Sequence, residues 1–176
     1  LSGFIIAYNY QQKLVERKVS KRQFWVARIA RIYPLHIATL LGVAVIGNLL
    51  HPMGWGEGLR HFIPALFLLH PFVPRMDYFF YFGSPSWSLG CEQLFYLLFP
   101  FLALLFYKKQ RLVGVLLVCA VVVPTLMSLT DEANIRGYWY VNPLARFPDF
   151  LVGMLLYRAY GWCRSKQLSF STASLL

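Results

Sequence analysis

The sequence predicts an all-α protein, a polytopic transmembrane helical bundle of five to six apolar segments. Two observations carry that prediction. Charged residues make up only 14% of the chain and hydrophobic ones 58%, with a mean hydropathy of +0.52, whereas a soluble domain carries about a quarter charged residues. Several apolar runs also approach the roughly 20 residues that a helix needs to cross a bilayer. Period-two alternation of strand length is too sparse for a barrel. The lipid bilayer is therefore the first expected partner.

Residues 1–9 read as the tail of a span already under way, so the chain is expected to lack its natural beginning. Residues 10–23 form a polar, basic loop. Ser20 and Gln23 make a capping-box pattern that opens a helix near 21–33. On that helix Trp25, Val26, Ile29, Ile32 and Tyr33 fall on one side, and Lys21, Arg28 and Arg31 on the other. Pro34 kinks or restarts the helix, and 35–50 is the next span. A turn-rich loop at 51–60 precedes a short apolar segment, 61–73, interrupted by Pro64. An aromatic-rich loop covers 74–86. Spans follow at 87–107, 112–129 (with Pro124 near its end) and 143–160, joined by a basic turn at 108–111 and a polar loop at 130–142. A basic tail ends the chain.

The net charge of +10 would raise nucleic acid as a partner in a soluble protein. Here Lys and Arg collect in loops and set orientation instead, so nucleic-acid binding is not expected. The 10–23 loop has the densest charge and is placed on the cytoplasmic side. A basic surface can also hold an anionic cofactor or lipid headgroups. Cys91, Cys119 and Cys163 are isolated, with no metal-binding spacing, and no metal is expected.

Ser84-Pro85 is a good helix start, from hydroxyl capping and proline in the first turn. About two turns on, at the mouth of an apolar run, stands Glu92, one of seven acidic residues. Ser88, Glu92 and Tyr96 recur every four residues and share a helix face. An ionisable residue in a span is costly and defaults to a functional reading. The bland alternative is a carboxylate that snorkels or pairs with Arg146. Arg28 and Arg31, one turn apart, are either topology signals or a forked clamp for phosphate oxygens. Asn142 and Pro143 suit a helix start, Arg146 and Asp149 are a candidate pair beyond them, and Gly153 suits close helix packing. His51 and His61 read as interface residues. His36 follows Pro34 near the start of a span.

Four stretches together resemble the acyltransferase-3 family of bacterial membrane O-acyltransferases. They are Ser2-Gly3-Phe4, Arg28-Ile-Ala-Arg31-Ile-Tyr-Pro34-Leu, Ser86-Trp87-Ser88-Leu-Gly-Cys-Glu92-Gln-Leu-Phe-Tyr96-Leu-Leu-Phe-Pro100 and Asn142-Pro-Leu-Ala-Arg146-Phe-Pro-Asp149-Phe-Leu-Val-Gly153. They occur in family order. The resemblance covers nearly all of residues 1–176, as part of one membrane domain, roughly half of a typical family domain. It implies a multi-pass protein of the bacterial cytoplasmic membrane. It further implies transfer of an acyl group, acetyl above all, from acyl-CoA to a hydroxyl of a cell-surface glycan or sugar. Arg28 and Arg31 would hold the donor, and Glu92 would support a histidine base. Trp87, Ser88, Tyr96, Asn142, Arg146 and Asp149 would serve substrate or structure. The family's presumed base precedes the Ser-Gly-Phe motif, upstream of Leu1; His36 is the alternative within the chain. Where the family has a second small or acidic residue before the glutamate, this chain has Gly90-Cys91, and where it has Glu this chain has Asp149. A transporter or glycan-handling protein without catalysis, and an inactive remnant, remain the competing readings.

Overall fold

A computed structural model describes residues 1–50, 55–73, 78, 86–107 and 136–173, and between the last two blocks the pairs 114–115, 118–119, 122–123 and 125–126, all helical. The described residues form helices and turns, with no strand among them. Helix α1 (Ser2–Ile6) runs through a π-helical turn (Ala7–Gln11) into α2 (Gln12–Val15). Then come α3 (Lys21–Leu50), α4 (Trp55–Leu66), a 3-10 turn (His70–Phe72) and α5 (Ser86–Phe106). A second π turn (Arg136–Val141) leads into α6 (Pro143–Ala173).

Two of the described helices, α3 and α5, are long and apolar enough to cross a membrane. At 21 residues, α5 spans about 32 Å at 1.5 Å per residue, close to the bilayer hydrocarbon thickness. The expected aromatic-rich loop at 74–86, the basic turn at 108–111, the 112–129 span and Ser84-Pro85 lie wholly or largely outside the described residues, so the count of five to six segments is not reached from them. Several boundaries move. The helix does not restart at Pro34, because α3 carries that proline in its interior. Residues 55–60, expected as loop, are already helical. The final helix continues through the basic tail to Ala173.

Helix α5 is central. It packs against α6, α3, α2 and the 3-10 turn, while α1 lies along α6. The core is aromatic: Phe24, Phe99 and Phe150 are fully buried, with Phe95 stacked on Phe150 at 4.7 Å and Phe24 against Phe99 at 5.3 Å. Such ring pairs add about 0.5–1.5 kcal/mol beyond their area. Glycines set the closest approaches. A Cβ on Gly90 would sit 2.9 Å from the Leu68 carbonyl oxygen and 2.7 Å from the Pro71 ring, so α5 can seat against the 3-10 turn only through a residue without a side chain.

The capping box at the start of α3 forms as expected. The Ser20 amide donates to Gln23 Oε1 at 2.8 Å, and the Gln23 amide donates to Ser20 Oγ at 3.1 Å. The apolar side of α3 divides, with Trp25, Ile32 and Tyr33 packed toward the core. Val26 and Ile29 are 58% and 55% exposed, whereas Phe24 is fully buried and Ile32 nearly so. The protein-facing side therefore carries Phe24, Arg28 and Ile32, and part of the apolar side faces outward. An apolar outward face of this kind suits a lipid surround, in which a guanidinium must face protein or water.

Inside α5, Pro100 has no N–H for the Tyr96 carbonyl four residues earlier, which leaves an acceptor without its helical partner. The indole Nε1–H of Trp25 donates to that carbonyl at 3.1 Å. At the end of α5, Arg158 of α6 donates to the Phe106 carbonyl at 3.1 Å, satisfying one of the acceptors that every helix C-terminus leaves open.

Candidate functional site

Three cavities surround the stretch of α3 from Trp25 to Val43. A polar one of about 270 Å³ is lined by Asn9, Tyr10, Lys13, Arg28 and Arg31, with Ile5 and Ile6. A largely apolar one of about 330 Å³ lies between α3 and α5, with Trp25, Arg28, Tyr33, Gln93 and Tyr96 on its walls. The third, about 450 Å³, holds Arg31, His36, Thr39, Ser86, Ser88 and Glu92. Arg28 borders the first two, and Arg31 borders the first and third.

The helix face read from sequence is present. Ser88 and Glu92 share the third cavity, and the Tyr96 hydroxyl donates to Glu92 Oε2 at 3.0 Å. This bond fixes one carboxylate oxygen and leaves the other for a partner in the cavity. Pairing of Glu92 with Arg146 does not occur. Arg146 instead meets Asp149 at 3.3 Å, donates through Nε to the Tyr140 carbonyl at 2.9 Å and lies over the Tyr140 ring at 4.8 Å. These contacts hold the guanidinium between the start of α6 and the π turn before it. Asn142 acts as the cap it resembles, its Oδ1 accepting from the Leu144 amide at 2.9 Å. Trp87 packs on Tyr140 with ring centroids 5.1 Å apart. None of Trp87, Asn142, Arg146 and Asp149 lines the three cavities.

Arg28 and Arg31 come together in the polar cavity, joined by two residues that sequence reading left as loop, Tyr10 and Lys13. Arg28 donates through Nη2 to the Tyr10 hydroxyl at 2.7 Å and lies 4.8 Å from the centre of that ring. The only signal for these two was their nearness in sequence to a basic helix; a π turn has no composition code.

His36 is buried and lines the third cavity. Its Nε2 lies 2.9 Å from the Ala65 carbonyl, an acceptor, so the hydrogen sits on Nε2 and Nδ1 is the basic nitrogen. The same carbonyl accepts the Leu68 amide at 3.0 Å, so His36 is tied to the turn that ends α4. His61, read from sequence as an interface residue, is buried beside Tyr78, with ring centroids 4.5 Å apart. His70 is buried too, with Nε2 at 3.2 Å from Ser86 Oγ. Burial pushes its imidazole down to about 4, and nearby His36 adds to that, against the Pro64 carbonyl.

The pattern that defines the acyltransferase-3 family, an acyltransferase domain, matches residues 1–176. The acyltransferase MdmB of Streptomyces mycarofaciens is 37% identical over 117 residues, covering 65% of this chain and 28% of that protein. An uncharacterized protein of Haemophilus influenzae is 28% identical over 193 residues, covering all of this chain and 78% of its own length. The peptidoglycan O-acetyltransferase OatA of Listeria monocytogenes is 29% identical over 121 residues, or 61% of this chain and 19% of that enzyme. This chain thus spans well under two thirds of either named enzyme. No solved structure matches it. With the match running from the Ser2-Gly3 stretch through the Glu92 helix to Gly153, the chain belongs to the acyltransferase-3 family.

Proposed function

We propose that the protein is a multi-pass O-acyltransferase of the bacterial cytoplasmic membrane. It moves an acyl group, most simply acetyl, from acyl-CoA to a hydroxyl of a cell-surface glycan or sugar. The observation that carries this reading is the position of Arg31, which borders both the basic cavity and the cavity of Glu92. A donor whose phosphates rest on Arg28 and Arg31 would have its thioester within reach of the Glu92 cavity. The acceptor hydroxyl attacks the thioester carbonyl carbon, a C–O bond forms and the C–S bond breaks. The hydroxyl proton passes to a base and then to the departing thiolate. That base is a histidine, with Glu92 holding and charge-stabilising it. The family's own base precedes Ser2-Gly3-Phe4, and His36, with Nδ1 as its basic nitrogen, is the imidazole that this chain brings to the same cavity.

The test is an O-acetylation assay of the full-length protein in proteoliposomes with acetyl-CoA and a glycan acceptor. Glu92→Gln keeps the shape of the side chain and removes its charge. Transfer should fall by about 10²-fold or more, the scale of general-base assistance. Transfer at the original rate in the variant would remove Glu92 from the mechanism.

A further inference from the structure

The polar cavity brings three cationic side chains together, from Lys13, Arg28 and Arg31, with no carboxylate on its walls. The nearest acid in sequence, Glu16, is already engaged, meeting Lys18 at 2.6 Å and Gln12 at 2.7 Å. Three like charges around one small space repel, by about 1 kcal/mol per pair at contact distance even in water and by more beside protein. A fold that gathers them leaves room for an anion to offset the repulsion.

Two features point the same way. Arg28, which lines the cavity, keeps a buried Nε without a hydrogen-bond partner in the protein. The segment that brings Asn9 and Tyr10 to the cavity is the π turn, Ala7–Gln11. Such turns are rare and recur at functional positions, since the extra residue re-aims the side chains that follow it. Here it sets Tyr10 under two cations: Arg28 lies 4.8 Å and Lys13 5.7 Å from the ring centre. The Tyr10 hydroxyl accepts from Arg28 at 2.7 Å, so the guanidinium is held in one orientation before any ligand arrives.

We propose that this cavity is a binding site for a multiply charged phosphate group, in which Lys13 is a third cation beside Arg28 and Arg31, and Tyr10 is the positioning residue for Arg28. The proposal deepens the acyl-transfer reading, since the diphosphate of acyl-CoA is one source of that chemistry. The phosphate of an anionic lipid headgroup is the other.

The experiment measures binding to the full-length protein in phosphatidylcholine nanodiscs at low salt, by calorimetry, with inorganic pyrophosphate and with CoA. Both should bind, and added salt should weaken both. Lys13→Gln and Tyr10→Phe should each raise Kd about tenfold, the effect of roughly 1.4 kcal/mol, with no change in melting temperature. Lys13→Arg should restore binding. Lys18→Gln, whose ammonium is paired to Glu16, should change nothing. Failure of the wild type to bind pyrophosphate, or equal binding by wild type and Lys13→Gln, overturns the site. If pyrophosphate binds, CoA does not, and phosphatidylglycerol in the nanodisc displaces pyrophosphate, the site stands with lipid as its ligand and the acyl-CoA reading fails.

Discussion

Gly3 and Gly153 meet where α1 crosses α6: a Cβ on Gly153 would stand 3.0 Å from the Gly3 Cα and 2.8 Å from the Phe4 nitrogen. A Cβ on Gly3 would fall 2.1 Å from the Phe150 carbonyl oxygen. Both obstacles are backbone, which cannot rotate aside. Gly153→Ala should therefore destabilise by the roughly 1–3 kcal/mol typical of overpacking, and Gly3→Ala by more. Gly42→Ala is the contrast, since nothing lies within 4 Å of its would-be Cβ; it should gain up to about 1 kcal/mol of helix propensity. Thermal unfolding in detergent reads all three. Equal melting temperatures for Gly3→Ala and Gly42→Ala would show that the helices are not in this contact.

Arg146 and Asp149 should separate on substitution. Their pair stands at 3.3 Å with the Asp149 side chain 69% exposed, and exposed pairs contribute about 0–1 kcal/mol. Asp149→Asn should leave the melting temperature nearly unchanged. Arg146→Ala should cost more, about 1–2 kcal/mol, because it also removes the bond to the Tyr140 carbonyl and the cation over the ring on which Trp87 packs. Parallel melting curves of the two variants check this. A larger loss in Asp149→Asn would reverse the assignment.

What the sequence showed of this arrangement follows physical codes of short range. The Ser20/Gln23 capping box, the Asn142 cap and the shared face of Ser88, Glu92 and Tyr96 are each set by spacing within one helix, and all are present. The helix ends at Arg17 and Leu68 were not legible. Both residues have φ of 55°, where glycine is the usual occupant. The following amides close the turns, Lys18 N–H to the Lys13 carbonyl at 2.8 Å and Leu69 N–H to the Pro64 carbonyl at 2.7 Å. Neither position carries the glycine that would announce it. The split of the apolar side of α3 was not legible, because Ile32, which packs inward, and Val26 and Ile29, which are exposed, are all apolar and share one side. The partnership of Trp25 with the carbonyl freed by Pro100 joins residues 71 apart, a distance no local pattern spans.

His70 makes stability depend on pH with a definite sign. Its imidazole is pushed from 6.5 down to about 4 in the folded protein, so the native state stays neutral where the unfolded chain takes up a proton. The unfolded state binds more protons between those values, and stability rises with pH across that window. The contribution is complete above about 6.5 and is lost as pH falls toward 4. Melting temperature followed from pH 7 to pH 4 should fall, and His70→Gln should flatten part of that slope. An identical slope in the variant would place the titration elsewhere.

Tyr96 should matter to transfer through Glu92. Its hydroxyl donates to Glu92 Oε2 at 3.0 Å, and its ring is buried against Phe24. Tyr96→Phe keeps the ring and its packing while freeing the carboxylate oxygen to rotate. A neutral donor to a charged acceptor contributes about 1.5–3 kcal/mol, so the loss of positioning should lower kcat by roughly tenfold or more. KM for acyl-CoA should hold, because Tyr96 does not line the basic cavity. A rise in KM with kcat intact would mean that Tyr96 serves the donor rather than the carboxylate. Unchanged kcat and KM would mean that Glu92 needs no such anchor.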